Sequence, residues 1–159
     1  MLLFLDVDGT LIPFGGTGPY PEYGEPSPAH PLLSRLDPAL GPRLLALGCE
    51  VVWATTWLDD ANTVLAPWLG LPALPVVRWP QDEEGEEGLS GRGVHWKTQP
   101  LVALAAGRPF VWLDDEITDA DRAWVAAHHP GTALLHRVHP AHGLTDADFA
   151  VVEEWIAGR

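Results

Sequence analysis

The chain has one cysteine, one methionine and one lysine, and only nine basic residues against 22 acidic ones. With Cys49 alone, no internal disulfide is possible. Cys49 stands just before an apolar, strand-like run and reads as a buried thiol. A net charge of −13 excludes a broad basic face, which non-specific nucleic-acid binding requires. It leaves room for a local basic pocket, and it suits a protein that holds a cation. No apolar run approaches the length of a bilayer span. Only a short apolar stretch separates Met1 from Asp6, with no basic segment before it, so no secretory leader is read there. The expectation is a cytoplasmic protein with no membrane association.

What the chain does have is apolar weight: 47% hydrophobic residues and eight tryptophans, the composition of a packed globule. Its 159 residues are read as a single domain, 1–159, long enough for a substantial core. Leu2–Leu5 is an unbroken apolar run, too short for a helix of its own, and reads as a strand buried on both faces. Asp6 follows at once, then Asp8, Gly9 and Thr10. Residues 13–31 are rich in Pro, Gly and Tyr and read as a long loop over whatever lies at that strand end. Asp37-Pro38 reads as a helix start, with Leu40, Leu44, Leu45 and Leu47 on one face and Gly48 at the end.

Val51–Thr55 predicts a second strand, Asp59–Leu69 a helix, and Leu74–Trp79 a short third strand. Residues 80–93 form an acidic, glycine-rich stretch, read as a solvated loop. His95–Ala106 carries Lys97 and then a short helix. Phe110–Leu113 predicts a fourth strand, ending in Asp114-Asp115. A helix beginning at Thr118 or Asp119 runs through His128. Thr132–Leu135 predicts a fifth strand, and Thr145 caps a last helix with Asp148 three residues on. Strand and helix alternate throughout. The fold class is therefore α/β: a three-layer, Rossmann-like domain with a mainly parallel sheet of about five strands and no large cap.

Three strands end in polar residues: Asp6 and Asp8, Thr55 and Thr56, Asp114 and Asp115. In open α/β sheets ligands bind beyond these carboxyl ends. Clustered carboxylates there call for a cation, and Mg2+ takes one or two carboxylates plus substrate phosphate oxygens. Gly9 permits a sharp turn that returns Asp8 toward Asp6, and Thr10 offers a hydroxyl and an N–H to an anion. Lys97 adds the cation that phosphoryl transfer needs. The residues do not decide between Thr55 and Thr56 as phosphate ligand, or between Asp114 and Asp115 as direct metal ligand. Trp57 stands where it can wall the site. His128, His129, His136, His139 and His142 flank Pro and Gly loops without a ligand frame and read as surface histidines.

The order apolar run, Asp6-x-Asp8-Gly9-Thr10, then Thr55, Lys97 and Asp114-Asp115, resembles the four motifs of the haloacid dehalogenase (HAD) superfamily. The resemblance spans Asp6 to Asp119 and is to small, capless members. It implies an Mg2+-dependent phosphatase acting through an aspartyl-phosphate. Asp6 would be nucleophile and metal ligand, and Asp8 general acid and base, with its carbonyl facing the metal. Thr55 and Lys97 would hold the phosphate, with Gly9, Thr10 and Thr56 beside them, and Asp114 and Asp115 would serve the metal. Asp115 and Asp119 would bind it through water or orient Lys97. Trp53–Trp57 followed by Asp59–Asn62 resembles a group related to HAD domains of RNA-repair proteins.

Without a cap, specificity falls to the loops or to a large substrate. The partner expected is a phosphorylated small molecule or a phosphorylated nucleic-acid end. Two other readings compete: a receiver-like phospho-acceptor, which orders its acidic residues differently, and a catalytically idle HAD fold that only binds.

Overall fold

A computed structural model describes residues 1–25, 27–80 and 93–159. Four short parallel strands form the sheet: β1 (Leu2–Leu5), β2 (Glu50–Trp53), β3 (Phe110–Asp114) and β4 (Ala133–Arg137), in the order β2-β1-β3-β4. Side chains alternate across a strand, and the core divides accordingly. Leu3, Leu5, Val51, Trp53, Val111 and Leu113 face one layer, with residues of α1 (Leu40–Ala46), α2 (Ala66–Leu69) and α5 (Asp146–Ala157). Leu2, Phe4, Val52, Phe110 and Trp112 face the other, with α3 (Thr98–Ala105) and α4 (Asp119–His128). Both faces of β1 and β3 are buried, which is why those strands read as continuous apolar runs rather than alternating ones.

The order matters for function. From β1 the chain passes to β2 on one side, and β3 lies on the other. The carboxyl ends of β1 and β3 therefore flank the point where strand order reverses, where such folds open a ligand crevice. Leu5 pairs with Leu113, and Asp6 N–H donates to Leu113 O at 3.1 Å, so the acids that follow these two strands lie level.

Among the described residues the sheet has four strands, not about five. Leu74–Trp79 makes only a single parallel bridge, Val76 to Trp53. Pro75 has no N–H to give to a ladder, and the segment is docked instead by Asn62. The Asn62 amide accepts from Trp53 Nε1 and Leu74 N–H and donates to Leu74 O. The Asp59–Leu69 helix is likewise irregular. Ala61–Leu65 is a single π-helical turn running into α2. Pro67 cannot donate back to the preceding turn, so the regular α ladder starts only there.

The helix after Pro38 begins at Leu40, without a side-chain cap on its first residue. Asp37 instead accepts from Ala39 N–H at 2.8 Å, turning the chain before the helix starts. Gly41 lets α1 lie against α2, because a Cβ there would overlap the Leu69 carbonyl. Two helix starts follow the sequence closely: Thr118 caps α4 and Thr145 caps α5, each with a reciprocal Asp three residues on. Cys49 is half-buried at the edge of the core, where burial pushes its thiol pKa up. Of residues 13–31, those described carry neither strand nor helix. Most of the acidic stretch at 80–93 lies outside the described residues. Among the described residues no helix is long and apolar enough to cross a membrane.

Candidate active site

After β1 the chain winds into a tight turn. The Val7 carbonyl accepts from the N–H groups of Thr10, Leu11 and Ile12, and Gly9 N–H donates to Ile12 O at 2.9 Å. Gly9 sits at φ +78°, where a side chain is strained. It also makes room: a Cβ on Gly9 would fall 2.5 Å from the Asp115 carboxyl carbon. The glycine thus serves the site by letting Asp115 press against the turn. The Thr10 N–H, expected to face an anion, is spent inside the turn, as is that of Gly9. The Thr10 hydroxyl points to Asp6 Oδ2 at 3.3 Å.

Lys97, the residue preceding α3, reaches across to the two strand ends. Its Nζ lies 2.7 Å from Asp6 Oδ1 and 2.8 Å from Asp114 Oδ2, and all three side chains are buried. Asp114 Oδ1 accepts from Glu116 N–H at 2.9 Å. Carboxylate oxygens of Asp6, Asp114 and Asp115 lie within 4.8 Å of one another. Lys97 thus pairs with two of the three clustered acids, Asp6 and Asp114, and Asp115 makes no ion pair among the described residues. Burial, then the Asp114 charge, raises the Asp6 pKa to about 7, against the opposing pull of Lys97. Burial, then Asp114 and Glu116, raises Asp115 to about 6. Burial alone would lower the Lys97 pKa, but Asp6 and Asp114 together outweigh it and raise it.

Such a group of hard oxygen donors, short of positive charge, fits a divalent cation of the Mg2+ type. Asp6, Asp114 and Asp115 are the side chains that would hold it. The Asp8 carboxylate stands apart from this group. It is exposed, and its Oδ2 accepts from Trp57 Nε1 at 3.0 Å. Trp57 thus reaches the turn that carries Asp8, and His30 from the 13–31 loop lies against its indole, 5.1 Å between ring centroids.

Thr55 and Thr56 both follow the end of β2. Thr55 is fully buried and its hydroxyl accepts from Trp57 N–H at 3.2 Å, whereas Thr56 is exposed. Trp79 Nε1 fixes the Thr55 carbonyl at 3.1 Å.

Asp119 does not belong here. Its side chain is wholly exposed and, among the described residues, pairs only with Arg122. The acid that reaches the lysine turn is Asp121, which is buried and which the sequence reading passed over. The signal was Thr118-x-x-Asp121, a capping-box spacing that turns the third helical residue back inward. The histidines form no metal group among the described residues. His136 pairs with Asp148, and His128 stacks on Trp124. His129, read as a surface residue, is buried against Phe110.

The model of the HAD domain in Swiss Army Knife RNA repair proteins matches residues 2–149. No curated protein and no solved structure matches the chain. HAD domains are in general Mg2+-using hydrolases, and the four-stranded parallel sheet with acids at the β1 and β3 ends has their form. The chain belongs to the family of HAD domains found in Swiss Army Knife RNA repair proteins.

Proposed function

We propose that this domain hydrolyses phosphomonoesters through an aspartyl-phosphate on Asp6. One observation carries the reading: a buried ammonium, Lys97, bridges Asp6 at the end of β1 and Asp114 at the end of β3. Burying that cluster is expensive. It is accounted for if the carboxylates hold a cation and the ammonium meets a transferred phosphoryl group.

In the first step an Asp6 carboxylate oxygen forms a bond to phosphorus. The ester P–O bond breaks, and Asp8 gives its proton to the leaving oxygen. In the second step Asp8 takes a proton from water, whose oxygen attacks phosphorus. The bond to Asp6 breaks, releasing inorganic phosphate and restoring the carboxylate. Lys97 opposes the burial and the Asp114 charge that raise the Asp6 pKa, which favours the ionised nucleophile, and it would neutralise phosphate oxygens. The Thr55 hydroxyl, which accepts from Trp57, keeps its own hydrogen for a phosphate oxygen. Bound Mg2+ would supply the remaining positive charge, with Asp6, Asp114, Asp115 and the Asp8 carbonyl around it.

For the substrate we favour a phosphorylated nucleic-acid end over a small phosphorylated metabolite, on the strength of the family's association with RNA repair. A capless site fits this class, because a large substrate brings contacts remote from the phosphoryl group. The test is turnover, with Mg2+, of a panel of 3′- and 5′-phosphorylated oligonucleotides and small phosphate esters by wild-type and Asp6→Asn proteins. Release of phosphate by the wild type alone is expected. A folded Asp6→Asn protein turning over at the wild-type rate would falsify the nucleophile. A preference for one small ester would move the substrate to the metabolite class.

A further inference from the structure

We propose that Asp121 is a positioning residue that sets Lys97 between Asp6 and Asp114 by tethering the lysine turn to the start of α4. The inference rests on the phosphatase reading for its catalytic consequence and on geometry for the tether itself.

The need for a tether comes from the fold. Asp6 and Asp114 stand at the ends of paired strands, and the ladder between β1 and β3 fixes their height. Lys97 has no strand. It sits in a turn between Gly93 and the first residue of α3. Val94 is buried and Leu101 packs into the core layer with Phe4, Phe110 and Trp112, but apolar contacts are non-directional. They do not by themselves fix where a long side chain arrives.

Asp121 supplies the directional contacts, and its two oxygens divide the work. Oδ2 accepts from Thr118 N–H at 2.8 Å and from the Thr118 hydroxyl at 2.7 Å, which closes the α4 cap. Oδ1 accepts from His95 N–H at 2.7 Å and from the Thr98 hydroxyl at 2.6 Å. His95 and Thr98 bracket Lys97, and Lys97 N–H donates to His95 Nδ1 at 3.2 Å. A single buried carboxylate thus joins the lysine turn to the segment that runs from Asp114 through Asp115 to α4. Burial alone would raise the Asp121 pKa, but the donors of Thr98, Thr118 and His95 outweigh it and hold the group charged. A capping box needs only one of the two oxygens. The other is aimed at the residues on either side of the lysine.

That division of labour makes the roles separable. Thr98→Val removes one Oδ1 donor and leaves the α4 cap whole. Thr118→Ala removes a cap donor and leaves both Oδ1 bonds. Lys97 is the chain's only lysine, so lysine-selective 13C and 15N labelling gives a single side-chain resonance that needs no assignment. In the metal-free protein, Thr98→Val should move that resonance toward the position of an exposed lysine and speed exchange of its ammonium protons. With Mg2+, kcat on the best phosphate ester should fall roughly ten- to a hundredfold, the scale of an ångström-sized misplacement, with KM little changed. Thr98→Ser should restore both readouts. Thr118→Ala should lower the melting temperature without moving the lysine signal.

The proposal is overturned if Thr98→Val loses thermal stability while the lysine signal and kcat stay at wild-type values. It is equally overturned if Thr118→Ala moves the signal as far as Thr98→Val does. A wild type with no phosphatase turnover, whose lysine signal still moves in Thr98→Val and not in Thr118→Ala, would support the tether and refute the proposed reaction.

Discussion

Trp57 and Asp8 are joined by a hydrogen bond of 3.0 Å from the indole nitrogen to Oδ2. An exposed carboxylate in a turn would otherwise sample several rotamers. The bond ties the proposed general acid and base to the segment that follows β2, and hence to Thr55. Trp57→Phe keeps the ring against His30 and removes the donor. Turnover should fall by about tenfold or less, the scale of one net hydrogen bond of about 0.5–1.5 kcal/mol, with KM changed little. Steady-state kinetics on the best phosphate ester decides this. An unchanged kcat would show that Asp8 needs no such guide.

Lys97→Met leaves Asp6 and Asp114 buried together with no ammonium between them. Breaking a buried pair on one side costs about 3–5 kcal/mol. Urea unfolding in EDTA should show a loss of that size, and Mg2+ should recover part of it by replacing the missing charge. An equal loss in both conditions would argue that no cation enters this cluster.

Asp115 makes no ion pair among the described residues, and its pKa is raised to about 6 by burial, Asp114 and Glu116. Its charged form is therefore disfavoured in the metal-free fold. Asp115→Asn should raise the melting temperature in metal-free buffer at pH 8 and weaken Mg2+ binding by about tenfold or more. Calorimetric titration checks the affinity. Wild-type Mg2+ affinity in this variant would remove Asp115 from the metal site.

The α5 cap gives a pH signature far from the site. Burial alone would raise the Asp148 pKa, but the Thr145 hydroxyl, His136 and the Thr145 N–H outweigh it and hold it below the ordinary 3.8. A lowered carboxylate pKa adds stability that is complete above the unfolded value and is lost as pH falls through the folded one. Asp148→Ala should therefore cost about 1–2 kcal/mol at pH 7, and the gap from wild type should narrow as pH drops below 3.8. Unfolding midpoints measured across pH 2.5–7 test the sign. A gap that stays constant over that range would rule out the linkage.

Much of this was legible in the chain because it depends on near neighbours. Apolar runs long enough for a strand and closed by acids mark Asp6 and Asp114, since burying such ends without a cation is costly. A single lysine in an acidic chain marks Lys97. Thr145 and Asp148 mark a helix start by spacing alone. The sheet order was another matter, and it alone brings Asp6 and Asp114 level. So was the fate of Leu74–Trp79, whose apolar pattern suits a strand but whose Pro75 and whose dock on Asn62 leave a single bridge. The motif resemblance singles out Asp119 and passes over Asp121. Only the helix start at Thr118 decides between them, because a helix turns its first and third residues to different sides. Asp119 then meets solvent, and Asp121 meets the turn that carries the lysine. Pattern along the chain reports what each residue prefers. Which preferences meet at one point is set by packing, through contacts between residues far apart in sequence.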